Sequence, residues 1–259
     1  MYNLYIQTLI KVVPIIICYM TFWFIISIIK KRNDIADVAW GTGFIVACIS
    51  ALFLNNVIYF RSVLATTLVF IWGVRIATHI YLRNKDKKED YRYLELTAQW
   101  GQWFYLRSYL QIFLLQGFIL IIIATPVLFI NTFYFINYSF YDILGFIIWL
   151  IGFIFETVSD WQLGQFLKNP TNKGKILQTG LWQFSRHPNY FGEVTQWWGL
   201  YCIALALPYG FATIIGPLTI TFLILYVSGI PLLEKSLTLN PYFKEYAKRT
   251  SKFFPLPPR

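Results

Sequence analysis

The sequence predicts an all-α polytopic membrane protein, and three observations support this fold class. Apolar residue types make up 57% of the 259 residues and charged types only 13%, with a mean hydropathy of +0.54. Soluble domains carry about 25% charged residues, so one water-facing globule cannot hide this much apolar surface. The apolar residues gather in spans of about 20 residues, the length that crosses a bilayer core. The basic residues gather in the short segments between those spans.

Seven candidate transmembrane spans follow one another along the chain. No internal repeat or low-complexity tract separates them, so we predict a single domain over residues 1–259. The predicted spans are approximately Val12–Ile29, Asp37–Ile58, Ser62–Leu82, Leu110–Ile130, Ile143–Val158, Tyr190–Leu207 and Phe211–Leu233.

The distribution of lysine and arginine predicts the orientation in the membrane. The segments after spans one, three and five, together with the tail, hold 19 of the 22 basic residues. Cytosolic loops carry such an excess, so we expect the N-terminus outside and the C-terminus in the cytosol. The same positions explain the net charge of +10 without a nucleic-acid partner. The three cysteines lie in apolar spans without metal-ligand spacing, so neither a disulfide framework nor a metal site is predicted.

Residues 180–198, GLWQFSRHPNYFGEVTQWW, hold the densest group of functional residue types. Pro188 can occupy the first turn of a helix, where its missing N–H is not needed. A helix that begins there places Asn189, Glu193 and Trp197 on one face at the end of a membrane span. Polar groups at that depth usually face a cavity or a ligand. The neighbouring residues Arg186, His187 and Tyr190 belong to the same candidate ligand site.

The third span carries a second polar face. Trp72, Arg75, His79 and Arg83 follow helical spacing there. An arginine two turns inside a span needs a specific partner, whereas Arg83 can also extend its charge to the headgroup level.

The fifth span carries two carboxylates, Glu156 and Asp160, four residues apart on one face. Unpaired carboxylates inside a membrane protein are costly, so we expect them to pair with Arg75, His79 or a ligand hydroxyl. An ion pair with Arg75 would be structural, whereas hydrogen bonds from ribose or an amide would indicate a binding site.

The segments outside the spans supply groups that suit a nucleotide. The aromatic and basic side chains after the third span can stack on and pair with a ligand. The turn-rich loop KNPTNKGK is suited to phosphates. No Rossmann or P-loop pattern occurs, so a nucleotide would have to bind between helices. The residues concerned are Tyr91, Arg92, Tyr93, Lys168 and Lys175.

The tail contains two tyrosines four residues apart, Tyr242 and Tyr246. They could close over a ligand. The same stretch has the charge pattern of an amphipathic helix on anionic lipid, and the two roles are compatible.

Six stretches together carry a resemblance to a known superfamily. They are DVAW at 37–40, WGVRIATHIYLRN at 72–84, EDYRY at 89–93, ETVSD at 156–160, GLWQFSRHPNYFGE at 180–193 and KFFPLPP at 252–258. These stretches resemble the steroid 5-alpha-reductase superfamily, and most closely its bacterial branch of uncharacterised membrane proteins. The resemblance implies a seven-helix fold in the bacterial inner membrane with NADPH in a cytosolic cavity. It also implies reduction of a C=C bond in a lipophilic, steroid- or isoprenoid-like substrate, without an obligate protein partner.

By position, the resemblance implies three groups of cofactor contacts. Residues that line the cofactor are Arg75, His79 and Arg83. Residues for the nicotinamide and ribose are Glu156, Asp160, Asn189, Glu193 and Trp197. Basic residues for the phosphates are Lys168, Lys175 and Arg186, whose charge favours NADPH over NADH.

Two residues depart from the pattern of that superfamily. Steroid reductases use a glutamate and a tyrosine to polarise the substrate carbonyl. Asp37 lies near the glutamate position, and Trp72 occupies the position expected for the tyrosine. Tryptophan has no phenolic proton, so a 3-keto steroid is not the expected substrate. The catalytic acid would be Asp37, Tyr91 or another group.

Two other functions stay open. Membrane methyltransferases of the isoprenylcysteine and phospholipid type, which use S-adenosylmethionine, also carry an RHPxYxG motif. In them a Glu-Glu pair and a Tyr-x-x-x-Tyr tail follow, whereas this chain has Glu234-Lys235 before its two tail tyrosines. The third possibility is a non-enzymatic lipid-binding or transport protein, in which the polar residues only hold helices together.

Overall fold

The structure is a computed structural model, and it describes residues 2–85, 89 and 91–258. Within its helices, the side chains outside this description are those of Tyr2, Tyr91, Arg92, Leu96, Thr97 and Ala98. The described residues form helices and turns and no strand, apart from one isolated bridge between Ser185 and Ser251. The predicted all-α class is therefore confirmed.

The chain divides into two compact units. The first contains Met1–Tyr138 and Leu207–Ile215, and the second contains Ser139–Ala206 and Gly216–Arg259. The single domain expected over residues 1–259 stays a prediction.

Helices α1 to α7 belong to the first unit, and helices α8, α9, α11 and α12 belong to the second. In the first unit they are α1 (Tyr2–Lys30), α2 (Ala36–Asn55), α3 (Phe60–Asn84), α4 (Tyr91–Trp100), α5 (Phe104–Ser108), α6 (Leu115–Ile123) and α7 (Thr125–Ile130). In the second they are α8 (Phe140–Lys168), α9 (Pro188–Ala204), α11 (Ile230–Leu237) and α12 (Phe243–Arg249). Helix α10 (Ile215–Phe222) begins at the last residue of the first unit and continues in the second.

Six stretches of the described chain are long and apolar enough to cross a membrane, so the count of seven is not confirmed. The predicted span Tyr190–Leu207 is the 17-residue helix α9, which is shorter than every one of the six. The orientation of the termini stays a prediction. The six candidate spans are Asn3–Lys30, Ala36–Asn55, Phe60–Asn84, Gly101–Ile123, Phe140–Lys168 and Gly210–Leu237.

The predicted span Leu110–Ile130 is broken near its end. Helix α6 stops at Ile123, and α7 begins at Thr125. Pro126 has no N–H to donate to the carbonyl of Ile122, four residues earlier, so a continuous helix would leave that carbonyl without its donor. The Thr125 hydroxyl donates to this carbonyl instead, at 2.8 Å.

The closest helix packing in the second unit joins α8 to α9 through glycines. Gly145 and Gly152 on α8 lie against Gly199 and Gly192 on α9, so the two helices run antiparallel. A Cβ at position 192 would lie 2.5 Å from the Gly152 carbonyl oxygen and 2.5 Å from the backbone nitrogen of Glu156. No side chain fits there, so the two backbones are in direct contact.

We expect Gly192→Ala to lower the thermal midpoint of the detergent-solubilised protein. The added methyl group meets fixed backbone atoms, and overpacking of this kind costs about 1–3 kcal/mol. Gly164→Ala, also on α8, is the matched control because nothing lies within 4 Å of a Cβ there. Alanine favours helix over glycine, so the control should keep or raise the midpoint. Equal midpoints for both variants would contradict the glycine contact.

Candidate functional site

Two carboxylate–amide pairs bridge α8 and α9. The Gln196 side-chain amide donates to Glu156 Oε2 at 2.5 Å, and the Asn189 amide donates to Asp160 Oδ1 at 3.2 Å. Glu156 and Gln196 are only 2% and 1% exposed, whereas Asp160 and Asn189 are half-buried. The amides of α9 are thus partners of both carboxylates. The expected pairing with Arg75, His79 or a ligand hydroxyl stays a prediction.

Gln196 is a site residue that sequence reasoning missed. Its amide nitrogen serves Glu156, and no described residue donates to its buried Oε1 atom. A buried acceptor of this kind normally has a partner, so this atom can take a hydrogen bond from a ligand. The sequence contained one signal for it, because Gln196 lies four residues after Gly192 and therefore on the same side of the helix.

Helix α9 begins at Pro188, as the sequence predicts. Asn189, Glu193 and Trp197 therefore follow one another along α9 at successive turns. Glu193 is half-buried and Trp197 is 1% exposed. The stripe thus runs from the half-buried beginning of α9 into its packed interior.

The residues before α9 form an ion-paired cluster with α11. Glu234 Oε1 lies 2.8 Å from Arg186 Nε and 3.1 Å from His187 Nε2. The His187 ring is 3% exposed and stacks on Tyr190, with 5.8 Å between ring centroids. Residues 186–188 are called the RHP segment below. Because one carboxylate faces two of its basic side chains, Glu234 fixes this segment in place. Glu234 was not among the predicted site residues.

The C-terminal residues from α12 onwards contact the same cluster. Arg186 Nη1 donates to the Ala247 carbonyl at 2.9 Å, and its guanidinium lies 5.7 Å from the Phe243 ring centroid. The Arg186 backbone N–H donates to the Ser251 carbonyl at 2.8 Å. The Ser185 hydroxyl donates to the Phe253 carbonyl at 2.8 Å. These contacts join the RHP segment to α12 and to the segment after it.

The two tail tyrosines occupy different environments. Tyr246 is 3% exposed, and its hydroxyl donates to the Trp182 carbonyl at 2.5 Å. Burial raises the pKa of the Tyr246 phenol, so the group stays protonated as a donor. Tyr242 is 60% exposed. Tyr246 therefore holds the tail in place, whereas Tyr242 is accessible at the surface.

The two predicted phosphate-binding lysines, Lys168 and Lys175, are both exposed. Lys168 ends α8, and Lys175 lies in the following loop. The Asn240 side-chain amide donates to the Gly174 carbonyl at 2.8 Å, so the loop is fixed to the segment that precedes α12.

In the first unit, the structure brings together two residues that the sequence assigned to different roles. The Tyr93 hydroxyl on α4 donates to Asp37 Oδ1 on α2 at 2.7 Å. Tyr93 is 7% exposed, and Asp37 is half-buried. From the sequence, Asp37 was predicted as a candidate catalytic acid and Tyr93 as a residue that binds the cofactor. The side chains of Tyr91 and Arg92 lie outside the described part of the chain.

A polar network surrounds the beginning of α2 in the first unit. Arg32 Nη2 lies 2.7 Å from Asp34 Oδ2, and the Asn33 backbone N–H donates to Glu89 Oε1 at 2.5 Å. The Ser108 hydroxyl donates to Asn33 Oδ1 at 2.8 Å. Burial raises the pKa of the Glu89 carboxyl.

The polar face of α3 becomes progressively exposed along the helix. Trp72 is 2% exposed and packs edge-to-face on Phe44, with 5.3 Å between ring centroids. Arg75 and His79 are half-buried, and Arg83 is exposed with its Nε 3.2 Å from Asn84 Oδ1. Arg75 and His79 therefore lie between an apolar end and an exposed end of α3.

The fold and these polar clusters define a multi-pass helical membrane protein with polar groups between and at the ends of its helices. The family of proteins of unknown function DUF1295 matches residues 23–250, and the chain belongs to this family. The family is related to steroid 5-alpha-reductase-like membrane proteins.

A curated protein is similar over a short segment. The Probable O-methyltransferase ustE of Ustilaginoidea virens is 48% identical over 46 residues, which make up 18% of this chain and 16% of that protein. The chain thus matches about a sixth of the length of that relative. No solved structure matches the chain.

We expect Tyr246→Phe to lower the thermal midpoint, because it removes the donor to the Trp182 carbonyl. A buried carbonyl left without its donor costs about 1–3 kcal/mol. Tyr242→Phe removes the same atom from an exposed residue and should change stability by no more than about 0.5 kcal/mol. The comparison uses thermal unfolding of both variants in one detergent. A larger loss for Tyr242→Phe would contradict the assignment.

Proposed function

We propose that the protein is an NADPH-dependent reductase of the bacterial inner membrane. Its substrate would be the C=C bond of a lipophilic, steroid- or isoprenoid-like molecule, and its cofactor site would open to the cytosol. The relation of the family to steroid 5-alpha-reductase-like proteins supports this class of reaction. The chemistry of the polar residues on α8 and α9 supports the cofactor.

The acceptor-rich face between α8 and α9 is the observation that carries the proposal. Glu156 and Asp160 accept hydrogen bonds from α9 amides, and the buried Oε1 of Gln196 is an acceptor without a described donor. The ribose hydroxyls and the carboxamide of a nicotinamide nucleotide are hydrogen-bond donors, so the residues fit this group. Within the described residues, Gln196 Oε1 has no competing donor.

The basic residues near this face suit a phosphorylated cofactor. Lys168 and Lys175 are exposed and can pair with phosphate oxygens. Arg186 already contacts Glu234, so its role would be to position the RHP segment next to the phosphates. When bound, NADPH would supply the hydride.

The pair formed by Asp37 and Tyr93 would hold the proton for the reaction. The phenolic proton lies between two oxygens whose positions are fixed by α2 and α4. Hydride addition to an activated C=C bond leaves an enolate that needs an acid, and a hydrogen-bonded pair can supply it. We therefore assign to Tyr93 the role that the sequence had placed on Asp37 or Tyr91.

A methyltransferase that uses S-adenosylmethionine is the second candidate. The similarity to a probable O-methyltransferase favours it. The contact of Glu234 with Arg186 and His187 also favours it, because the related methyltransferases pair this motif with a later acidic residue.

We expect NADPH, and not S-adenosylmethionine, to raise the thermal midpoint of the full chain in detergent. A ligand at about 100 times its dissociation constant stabilises the folded state by about 2.7 kcal/mol. Asn189→Ala and Glu193→Ala should abolish the shift caused by NADPH. Gln165→Ala is the control, since this exposed residue of α8 should leave the shift unchanged.

Each outcome of this experiment separates the functions. A shift with S-adenosylmethionine alone would replace the reductase with the methyltransferase. No shift with either cofactor would favour a non-enzymatic lipid-binding or transport protein. An NADPH shift that survives both substitutions would reject the face of α9 as the binding site.

We expect Tyr93→Phe to lower the rate of NADPH oxidation by about 10²–10⁴-fold, the usual contribution of a positioned acid. The assay follows NADPH absorbance with a panel of isoprenoid and steroid enones. The thermal shift with NADPH should stay unchanged, because Tyr93 would act on the substrate. Tyr105→Phe, at a 59% exposed tyrosine, is the control. Equal rates for both variants would remove Tyr93 from the reaction.

A further inference from the structure

A shallow groove lies on the surface of α12, apart from the residues assigned to the reaction. Its volume is about 350 Å³, and its walls combine a cationic rim with an apolar floor. Its two lysines are exposed, whereas its phenylalanine is buried and its alanine half-buried, so we call the lysines the rim and the other two residues the floor. The lining residues are Thr238, Phe243, Lys244, Ala247 and Lys248.

The groove directly follows the last candidate membrane span, so we expect it at the surface of the bilayer. The last candidate membrane span ends at Leu237, and Thr238 is the next residue. Leu239 is 87% exposed, Tyr242 is 60% exposed and Phe254 is 64% exposed. Large apolar side chains exposed next to lysines are typical of segments that lie in the headgroup region.

The charges around the groove favour an anionic partner. Lys244 and Lys248 are four residues apart and therefore lie on one face of α12. Both side chains are exposed, and the acidic residue of this helix is Glu245. Further basic residues of the same region are Lys235, Arg249 and Lys252.

We propose that this groove binds the headgroup of an anionic phospholipid from the adjoining leaflet. The lysine ammonium groups pair with the lipid phosphate, as basic segments at membrane surfaces do. The Phe243 ring and Ala247 contact the glycerol and the first part of an acyl chain. The combination of a cationic rim and an apolar floor fits a lipid better than a free anion, which would not use the floor.

The floor of this groove also contacts the RHP segment. The Phe243 ring lies under the Arg186 guanidinium, and the Ala247 carbonyl accepts from Arg186 Nη1. A lipid in the groove would restrict the motion of α12 and thereby stabilise the cluster of Arg186 and Glu234. This inference does not depend on the proposed reaction.

The experiment measures the thermal midpoint of the delipidated full chain in a neutral detergent. The probes are short-chain phosphatidylglycerol, short-chain phosphatidylcholine and glycerol 3-phosphate. We expect stabilisation by phosphatidylglycerol only. The double variant Lys244→Gln/Lys248→Gln should weaken its apparent affinity about 30-fold, from the usual effect of one lysine at an anionic surface applied twice.

A matched control removes the same charge elsewhere. Lys30 and Lys31 are exposed where α1 ends, so Lys30→Gln/Lys31→Gln should keep the affinity of the unmodified protein. Thr238→Trp keeps both groove lysines and fills the groove, so it should also weaken phosphatidylglycerol binding.

The proposal is wrong if both double variants lose affinity equally, because net charge and not the groove would then bind the lipid. Equal stabilisation by glycerol 3-phosphate would indicate a site for free anions. Equal stabilisation by phosphatidylcholine would indicate a general detergent-like effect. Unchanged binding by Thr238→Trp would show that the groove is not used.

Discussion

The direct backbone contact of α8 with α9 is the constraint on which the second unit depends. Gly145 and Gly152 are seven residues apart, as are Gly192 and Gly199, so each pair lies on one side of its helix. In a membrane, apolar side chains gain little by leaving lipid, and helices associate through close packing and polar contacts. The glycines provide the close packing. They also bring the two helices close enough for polar contacts between their side chains.

The polar pairs follow from that spacing. Gln196 and Asn189 reach Glu156 and Asp160 because the backbones between them touch. Removing one partner would leave a polar group without its hydrogen bond, which is costly in this environment. The close packing and the hydrogen bonds therefore support each other. Together they hold the acceptors rigidly, which a binding site requires and a sliding helix pair could not provide.

The sequence predicted local features well and tertiary contacts poorly. The beginning of α9 at Pro188 follows from the chemistry of proline, and the stripe from Asn189 to Trp197 follows from helical spacing. The chemistry of proline also indicates the break before Pro126. The long apolar run around this residue nevertheless led to the prediction of one continuous span. The count of seven spans is not confirmed, because the predicted span Tyr190–Leu207 is the 17-residue helix α9 and hydropathy does not report where a helix ends.

Contacts between distant residues explain the remaining differences. The bond between Tyr93 and Asp37 joins positions 56 apart in sequence, and no spacing rule indicates it. Tyr242 and Tyr246 share a helical spacing, yet only Tyr246 meets the Trp182 carbonyl. Periodicity thus defines a face but not what covers it. The pairing of Arg186 with Glu234 depends on the same kind of contact, although the motif that contains Arg186 was evident.

The two candidate reactions require different acid and base groups from these residues. Both would use a cofactor that contains adenosine, so the acceptors on α8 and α9 suit the ribose hydroxyls of either one. Reduction of a C=C bond needs an acid as well, because the carbon skeleton gains a proton in addition to a hydride. Methyl transfer to oxygen creates no carbanion and needs a base or a deprotonated acceptor. A buried tyrosine that donates to a carboxylate holds a proton in place, which is useful to the first reaction. In the proposed reductase, the pair of Tyr93 and Asp37 would therefore be the source of this proton.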